Sequence, residues 1–244
     1  MRFFLYVRQS CLVMAGLVLF SCNQSEKTNT EAVTSDTTTS VSTAAAPVSG
    51  IVTNPQLMMI IKHRISNYDK WKMSYDGHDS MRLANGMHNY VIGRSAQDSN
   101  MLLVAVKADD VAKAKAFGKD PDLKKAMQKG GVTGNPAISM VNVVWQDTAA
   151  LQGMRSLTTF TVKDWTAWQT AFQEGRNERL ANGITDRLYG HDPDNQNKVS
   201  LVTAITDSTK AAAYWTSDML KKRRQASGVI GQPDRFLFHI AQRY

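Results

Sequence analysis

Arg82-Leu83-Ala84-Asn85-Gly86 stands once in this chain and returns as Arg179-Leu180-Ala181-Asn182-Gly183, 97 residues further on. In the same register Trp71 matches Trp168 and Gly93 matches Gly190. Leu123-Lys124-Lys125 matches Leu220-Lys221-Lys222, and Gly131-Val132-x-Gly134-x-Pro136 matches Gly228-Val229-x-Gly231-x-Pro233. Self-similarity at one fixed spacing marks a duplicated structural unit. The chain therefore divides into two units of about 95 residues each, 56–146 and 153–244, each of ordinary domain size.

Working outward from the repeated motif, each unit shows the same order of elements. In the first, residues 57–65 are apolar and β-rich, and Ser66 or Asn67 can cap a helix that carries Tyr68, Trp71 and Tyr75. The Ala-Asn-Gly ending suits a left-handed helix stop, where glycine has no Cβ to clash. Residues 87–95 and 101–108 read as a hairpin about the polar turn 97–100. Asp110 caps a short helix, Asp120-Pro121 starts another, Gly130-Gly131 ends it, and residues 137–145 form the closing strand. The second unit repeats this with strand 154–162, helix 164–183, a hairpin about 192–197, helices from Asp207 and Ser217, and strand 234–243. The order β-α-β-β-α-β is the ferredoxin-like arrangement and makes the fold class α+β. It leaves one sheet face per unit open, and two units can close those faces against each other.

The N-terminal stretch is of a different kind. Residues 1–21 read as an export signal: Arg2 and Arg8 flank an apolar run from Cys11 to Phe20, about half of the roughly 20 residues a membrane-spanning helix needs. Leu19-Phe20-Ser21-Cys22 resembles a bacterial lipobox. That resemblance implies an acylated Cys22 as the mature N-terminus and a bilayer as partner, with a simple secretory signal or a membrane anchor as alternatives. Asn23, where an inner-membrane retention aspartate would stand, points to the outer membrane of the cell envelope. Residues 22–55 are rich in Ser, Thr, Ala and Asn without apolar periodicity, as in a flexible tether. With Cys11 in the signal and Cys22 acylated, the folded part has no thiol, which excludes disulfides, zinc–thiolate sites and cysteine nucleophiles. The net charge of +8 falls by two without Arg2 and Arg8, a mild excess that does not indicate nucleic acid.

The aromatic first helix, the glycine-marked hairpin and the closing strand resemble the dimeric α/β-barrel superfamily, which includes antibiotic-biosynthesis-monooxygenase-like domains. The resemblance covers both units. It implies that a barrel usually built from two chains is built here within one, giving a monomer with an internal pseudo-twofold axis. Some relatives hold haem through a histidine of the second helix. Residues 111–129 and 208–226 contain none, so no cofactor is expected.

Candidate site residues follow from the helix stripe. Trp71, Tyr75, His78 and Arg82 are spaced i, i+4, i+7, i+11, and Trp168, Phe172, Gly175 and Arg179 repeat the stripe. Such aromatics ordinarily pack a sheet, and such arginines ordinarily pair with helix-end carbonyls or a nearby acid. The functional alternative is an aromatic-walled pocket in which Arg82 or Arg179 grips a small anionic or partly apolar ligand. The halves differ at His63 (Phe160 in the copy), His78 (Gly175) and His239 (Asn142 in the first half), which makes these three the catalytic candidates. No histidine has metal-ligand spacing, so no metal is expected. Lys221-Lys222-Arg223-Arg224 reads as a solvated basic helix face or a contact for lipid headgroups or an acidic partner. Three functions fit: a tethered ligand-binding or accessory domain, a cofactor-independent monooxygenase or isomerase, or a structural or partner-binding envelope protein.

Overall fold

A computed structural model describes residues 50–244. The signal, Cys22 and the tether up to residue 49 lie outside the described residues. The tether assignment ends too late: Ile51–Val52 form a short strand, β1, paired with Asp147 and Gln146. The first unit then runs β2 (Gln56–Ile65), α1 (Tyr68–Gly77), α2 (Asp79–Ala84), β3 (Met87–Ser95), β4 (Met101–Ala108), α3 (Val111–Phe117), α4 (Pro121–Lys129) and β5 (Val132–Asp147). The second runs β6 (Met154–Val162), α5 (Trp165–Glu174), α6 (Arg176–Ala181), β7 (Ile184–His191), β8 (Lys198–Ile205), α7 (Ser208–Thr216), α8 (Asp218–Ala226) and β9 (Val229–Arg243).

Local chemistry repeats with the sequence. Asn67 and Asp164 cap α1 and α5 by accepting from the third amide of each helix, and Asp110 and Asp207 do the same for α3 and α7. Gly86 and Gly183 both take φ of 68°, the left-handed geometry that the Arg-Leu-Ala-Asn-Gly ending anticipates. Two expectations are corrected. The aromatic helix of each unit is not continuous: His78 (φ −106°, ψ 20°) and Gly175 (φ −77°, ψ 4°) fall out of helical geometry and split it. The closing strands, expected at 137–145 and 234–243, begin earlier, at Val132 and Val229, so the Gly-Val-x-Gly-x-Pro segments run into β5 and β9. Gly134 and Gly231, with φ near 70°, let each strand bulge and continue. The bulge in β5 lies opposite His63: Lys62 pairs with Ala137 and Arg64 with Thr133, leaving His63 outside that ladder.

All strands pair antiparallel in the order β1-β5-β2-β4-β3-β9-β6-β8-β7, and β7 also pairs with β5. The ladder thus closes through eight strands. The two seams are β3 on β9 and β5 on β7, and in each the end of a last strand reaches the hairpin of the other unit. Side chains alternate along the strands. Met58, Ile60, Leu103, Ala105, Val141, Leu157 and Phe238 share one core that includes no helical residue, the inside of the ring. Met59, Val104, Val106 and Met140 face the other way and meet Trp71 and Phe117. Two further clusters, about Trp168 and about Tyr214, join the helices of the second unit to its strands.

Candidate functional site

Helix and strand do not fill the space between them completely. In the second unit a cavity of about 90 Å³ remains, bounded by β6, β7, β8 and β9 and by α5, α6, α7 and α8. Its floor is aromatic: Trp168 stacks on Phe172 with ring centres 5.0 Å apart and meets Phe160 at 5.4 Å. Trp168 and Phe172 are themselves buried, as sheet-packing residues should be, yet the cavity persists beside them.

The cations around this cavity differ in how they are neutralised. Arg179 lies over the Phe172 ring at 3.6 Å and is held by Asp186 through two hydrogen bonds, Nε to Oδ1 at 2.7 Å and Nη2 to Oδ2 at 2.6 Å. It lines the cavity with its charge already paired, the pairing with a nearby acid that such arginines ordinarily make. Arg223 donates Nε to Glu178 Oε2 at 3.0 Å, and the Tyr214 hydroxyl donates to Glu178 Oε1 at 2.6 Å. The Arg223 hydrogen bond above all, against the opposing effect of burial, holds the Glu178 carboxyl below the usual carboxylate range. Burial in turn pushes the Tyr214 hydroxyl up. Arg224 and Arg235 have no acidic partner among the described residues. The Arg235 guanidinium lies 4.0 Å over Trp215, its Nε is buried without a partner, and burial, then repulsion from Arg224, brings its pKa down to about 10.

The basic run on α8 is thus divided. Lys221 and Lys222 are exposed, whereas Arg223 and Arg224 are half-buried at the cavity. Leu220, Arg223, Arg224 and Ser227 are spaced i, i+3, i+4, i+7, a helical face that the periodicity contained and the charge pattern obscured. Trp215 and Arg235 had no signal short of the strand–helix packing itself.

The first unit keeps a smaller cavity of about 70 Å³, in which Trp71, Tyr75, Arg82 and His63 come together. Trp71 stacks on Tyr75 at 5.0 Å, and the Arg82 guanidinium covers Tyr75 at 3.7 Å. Arg82 donates to Asp79 Oδ1 at 3.1 Å, which also receives Asn89 Nδ2 at 2.6 Å; the Tyr75 hydroxyl donates to Asn89 Oδ1 at 2.6 Å. Burial pushes the Tyr75 hydroxyl up, so it stays a phenol near neutral pH. The three candidate histidines do not converge. His63 is 4% exposed, with both ring nitrogens unpartnered and Trp71 at 5.6 Å. His78 bonds to the Ser74 carbonyl through Nδ1 (2.6 Å) and shares a neighbouring pocket with Trp71, Tyr75 and Arg82 but not with His63, and His239 is exposed on β9 and lines neither cavity. Among the described residues no group of three His, Cys, Asp or Glu side chains could hold a metal ion. No helix among them is long and apolar enough to cross a membrane.

Burial lowers the His63 pKa from 6.5 to about 4. The native state then binds fewer protons than the unfolded chain between those values, so this contribution is full above pH 6.5 and is lost as pH falls toward 4. Its size is about 3 kcal/mol. In urea titrations, wild type should lose that much more stability between pH 7 and 4 than His63→Phe, which carries the residue of the second unit. Parallel curves would show that His63 is not held neutral.

The architecture is α+β with an antiparallel sheet, and solved structures share it. A protein named as a candidate chlorite dismutase matches at a TM-score of 0.52 and 12% identity, covering 77% of this chain and 95% of its own. An anthrone oxidase-like protein matches at 0.50 and 13% identity, over 79% and 94%. A candidate monooxygenase from Lactobacillus acidophilus NCFM matches at 0.50 and 12% identity, over 77% and 95%. The likeness at such identity is one of fold alone. No family model matches the chain, and no curated protein does.

Proposed function

We propose that the helix–sheet cavity of the second unit binds a small aromatic or otherwise apolar molecule that carries an anionic group. The observation that supports this most is the pairing of an aromatic floor with two arginines, Arg224 and Arg235, that lack an acidic partner among the described residues. An engineered cavity of about 150 Å³ takes a benzene ring; at about 90 Å³ this one takes the apolar end of a ligand and leaves its polar end at the arginines. In this reading residues 56–146 and 153–244 stand for the two subunits of a dimeric α/β barrel within one monomeric chain. Cys22 acylation and the tether would hold that barrel at the envelope, on the outer membrane.

Quenching of tryptophan fluorescence by 2-naphthoate tests the site in the full chain. Binding is expected, about tenfold weaker in Arg235→Gln, the loss of one charge-assisted contact. If 2-naphthalenemethanol, which has no charge, binds as well as 2-naphthoate, the arginines are not the recognition element and the reading fails.

A second reading rests on His63, a neutral imidazole with free nitrogens beside Trp71 in the first unit. A base of that kind could accept a proton from an electron-rich substrate during its oxidation, and two neighbours are named as a candidate monooxygenase and an anthrone oxidase-like protein. Oxygen uptake with anthrone that persists unchanged in His63→Phe would remove His63 from that role.

A further inference from the structure

A different space lies inside the ring, where neither helix layer reaches. Every one of the eight barrel strands lines it, and its volume is about 70 Å³. Met58, Leu103, Leu157, Val202 and Phe238 make an apolar wall. At the end where the connector between β5 and β6 crosses, the lining changes to Arg155, Arg187 and Arg243, with Asp147 as the one acid among the lining residues.

The partners of these arginines are mostly neutral. Arg155 is 2% exposed and donates to the backbone carbonyls of Leu151, Gln152, Gly153 and Met154. Arg187 is 7% exposed and donates to Asp147 Oδ2 at 3.0 Å and to the Ala149 carbonyl. These bonds clamp the connector through the Nη groups and leave other N–H donors of the two guanidiniums over, and carbonyls contribute no net charge. One carboxylate therefore faces three guanidiniums. Burial, then repulsion from Arg187 and Arg243, lowers the Arg155 pKa only to about 10, so it remains cationic at neutral pH. Arg155 is thus a buried cation with no carboxylate partner and two further guanidiniums nearby, which is costly, and a bound anion reduces that cost. Gln146 adds a second sign of a missing partner. It is 3% exposed, its Nε2 donates to the Tyr90 hydroxyl, and its Oε1 has no partner. A half-turn of the carboxamide would let it accept from Tyr90 and donate into the cavity.

We propose that this end of the barrel binds a small amphipathic carboxylate. The carboxylate is taken by Arg187, Arg243 and the Gln146 amide, with Arg155 behind them, and a short hydrocarbon chain lies along the apolar interior. Guanidinium forks match a carboxylate in two parallel hydrogen bonds, and the apolar wall has no use for a fully hydrated ion such as phosphate. This site is separate from the helix–sheet cavity in place and in residues.

Calorimetric titration of the full chain with hexanoate, 1-hexanol and inorganic phosphate tests it. Hexanoate should bind about tenfold tighter than either of the others, the worth of adding a charge to the chain or a chain to the charge. Arg243→Gln, whose exposed side chain takes no part in the connector clamp, should weaken hexanoate about tenfold with an unchanged Tm. Arg235→Gln should bind hexanoate as wild type does, whatever becomes of 2-naphthoate. No hexanoate binding, equal binding of hexanol or phosphate, or unaltered affinity in Arg243→Gln overturns the proposal. Hexanoate binding that is lost in Arg235→Gln also overturns it, since it would report the other cavity.

Discussion

Gly190→Ala should unfold at a markedly lower temperature than wild type, by roughly 6–12 °C for a cost of about 3 kcal/mol. Gly190 is buried in β7 at the seam where that strand meets β5, opposite Val143. A Cβ there would sit 2.2 Å from the Asn142 carbonyl oxygen and 2.8 Å from the Val143 Cα. Both are backbone atoms, so relief requires the two strands to part along a ladder that closes the ring. Gly93, its counterpart at the other seam, faces a softer obstacle: its Cβ would meet the Phe238 ring at 2.4 Å, and a side chain can turn. Thermal unfolding should therefore rank Gly190→Ala well below Gly93→Ala. Equal losses would mean that the seam backbone is not the constraint.

Asp186→Ala should cost about 3–5 kcal/mol, because it strands a buried guanidinium. Arg179 and Asp186 have side chains only 8% and 7% exposed, and the arginine guanidinium lies over the Phe172 ring. Removing both charges with matched apolar residues, Arg179→Met with Asp186→Leu, should recover most of the loss. In the first unit the corresponding acid is Asp79, whose side chain is 46% exposed, so water can take over and Asp79→Ala should cost much less. A double variant as unstable as Asp186→Ala alone would assign the loss to packing, not to charge. Urea denaturation of the three variants provides the comparison.

What could be read in the sequence was what short-range chemistry determines. The first hairpin strands appear at 87–95 and 101–108 because a polar four-residue turn separates two apolar runs. The helix caps are legible because their aspartate, asparagine and serine side chains act within three residues. The closing strands were harder: a glycine and a proline ordinarily announce a turn, but a left-handed glycine can also be the pivot of a bulge in a ladder that continues. That Arg179 could pair with a nearby acid was legible, but which acid was not. Its acid stands seven residues on, beyond a helix stop, and meets it only once β7 is laid in register. The ring of Arg155, Arg187 and Arg243 is assembled from β6, β7 and β9, and no local spacing encodes it. Of the stripe residues, Trp71, Tyr75 and Arg82 do stack, and His78, at the helix break, lines a pocket beside them.

The closed ladder also sets an order of events during folding. β3 finds its outer neighbour only in β9, where Val91 pairs with Arg243, a separation of roughly 150 residues. Contacts so distant in the chain are formed at high entropic cost and lower the folding rate. Until β9 is available, the β3 edge has no partner and is open to pairing with other chains. A protein closed in this way reaches its native state late and all at once. In the meantime it depends on whatever keeps an unfinished sheet edge from aggregating.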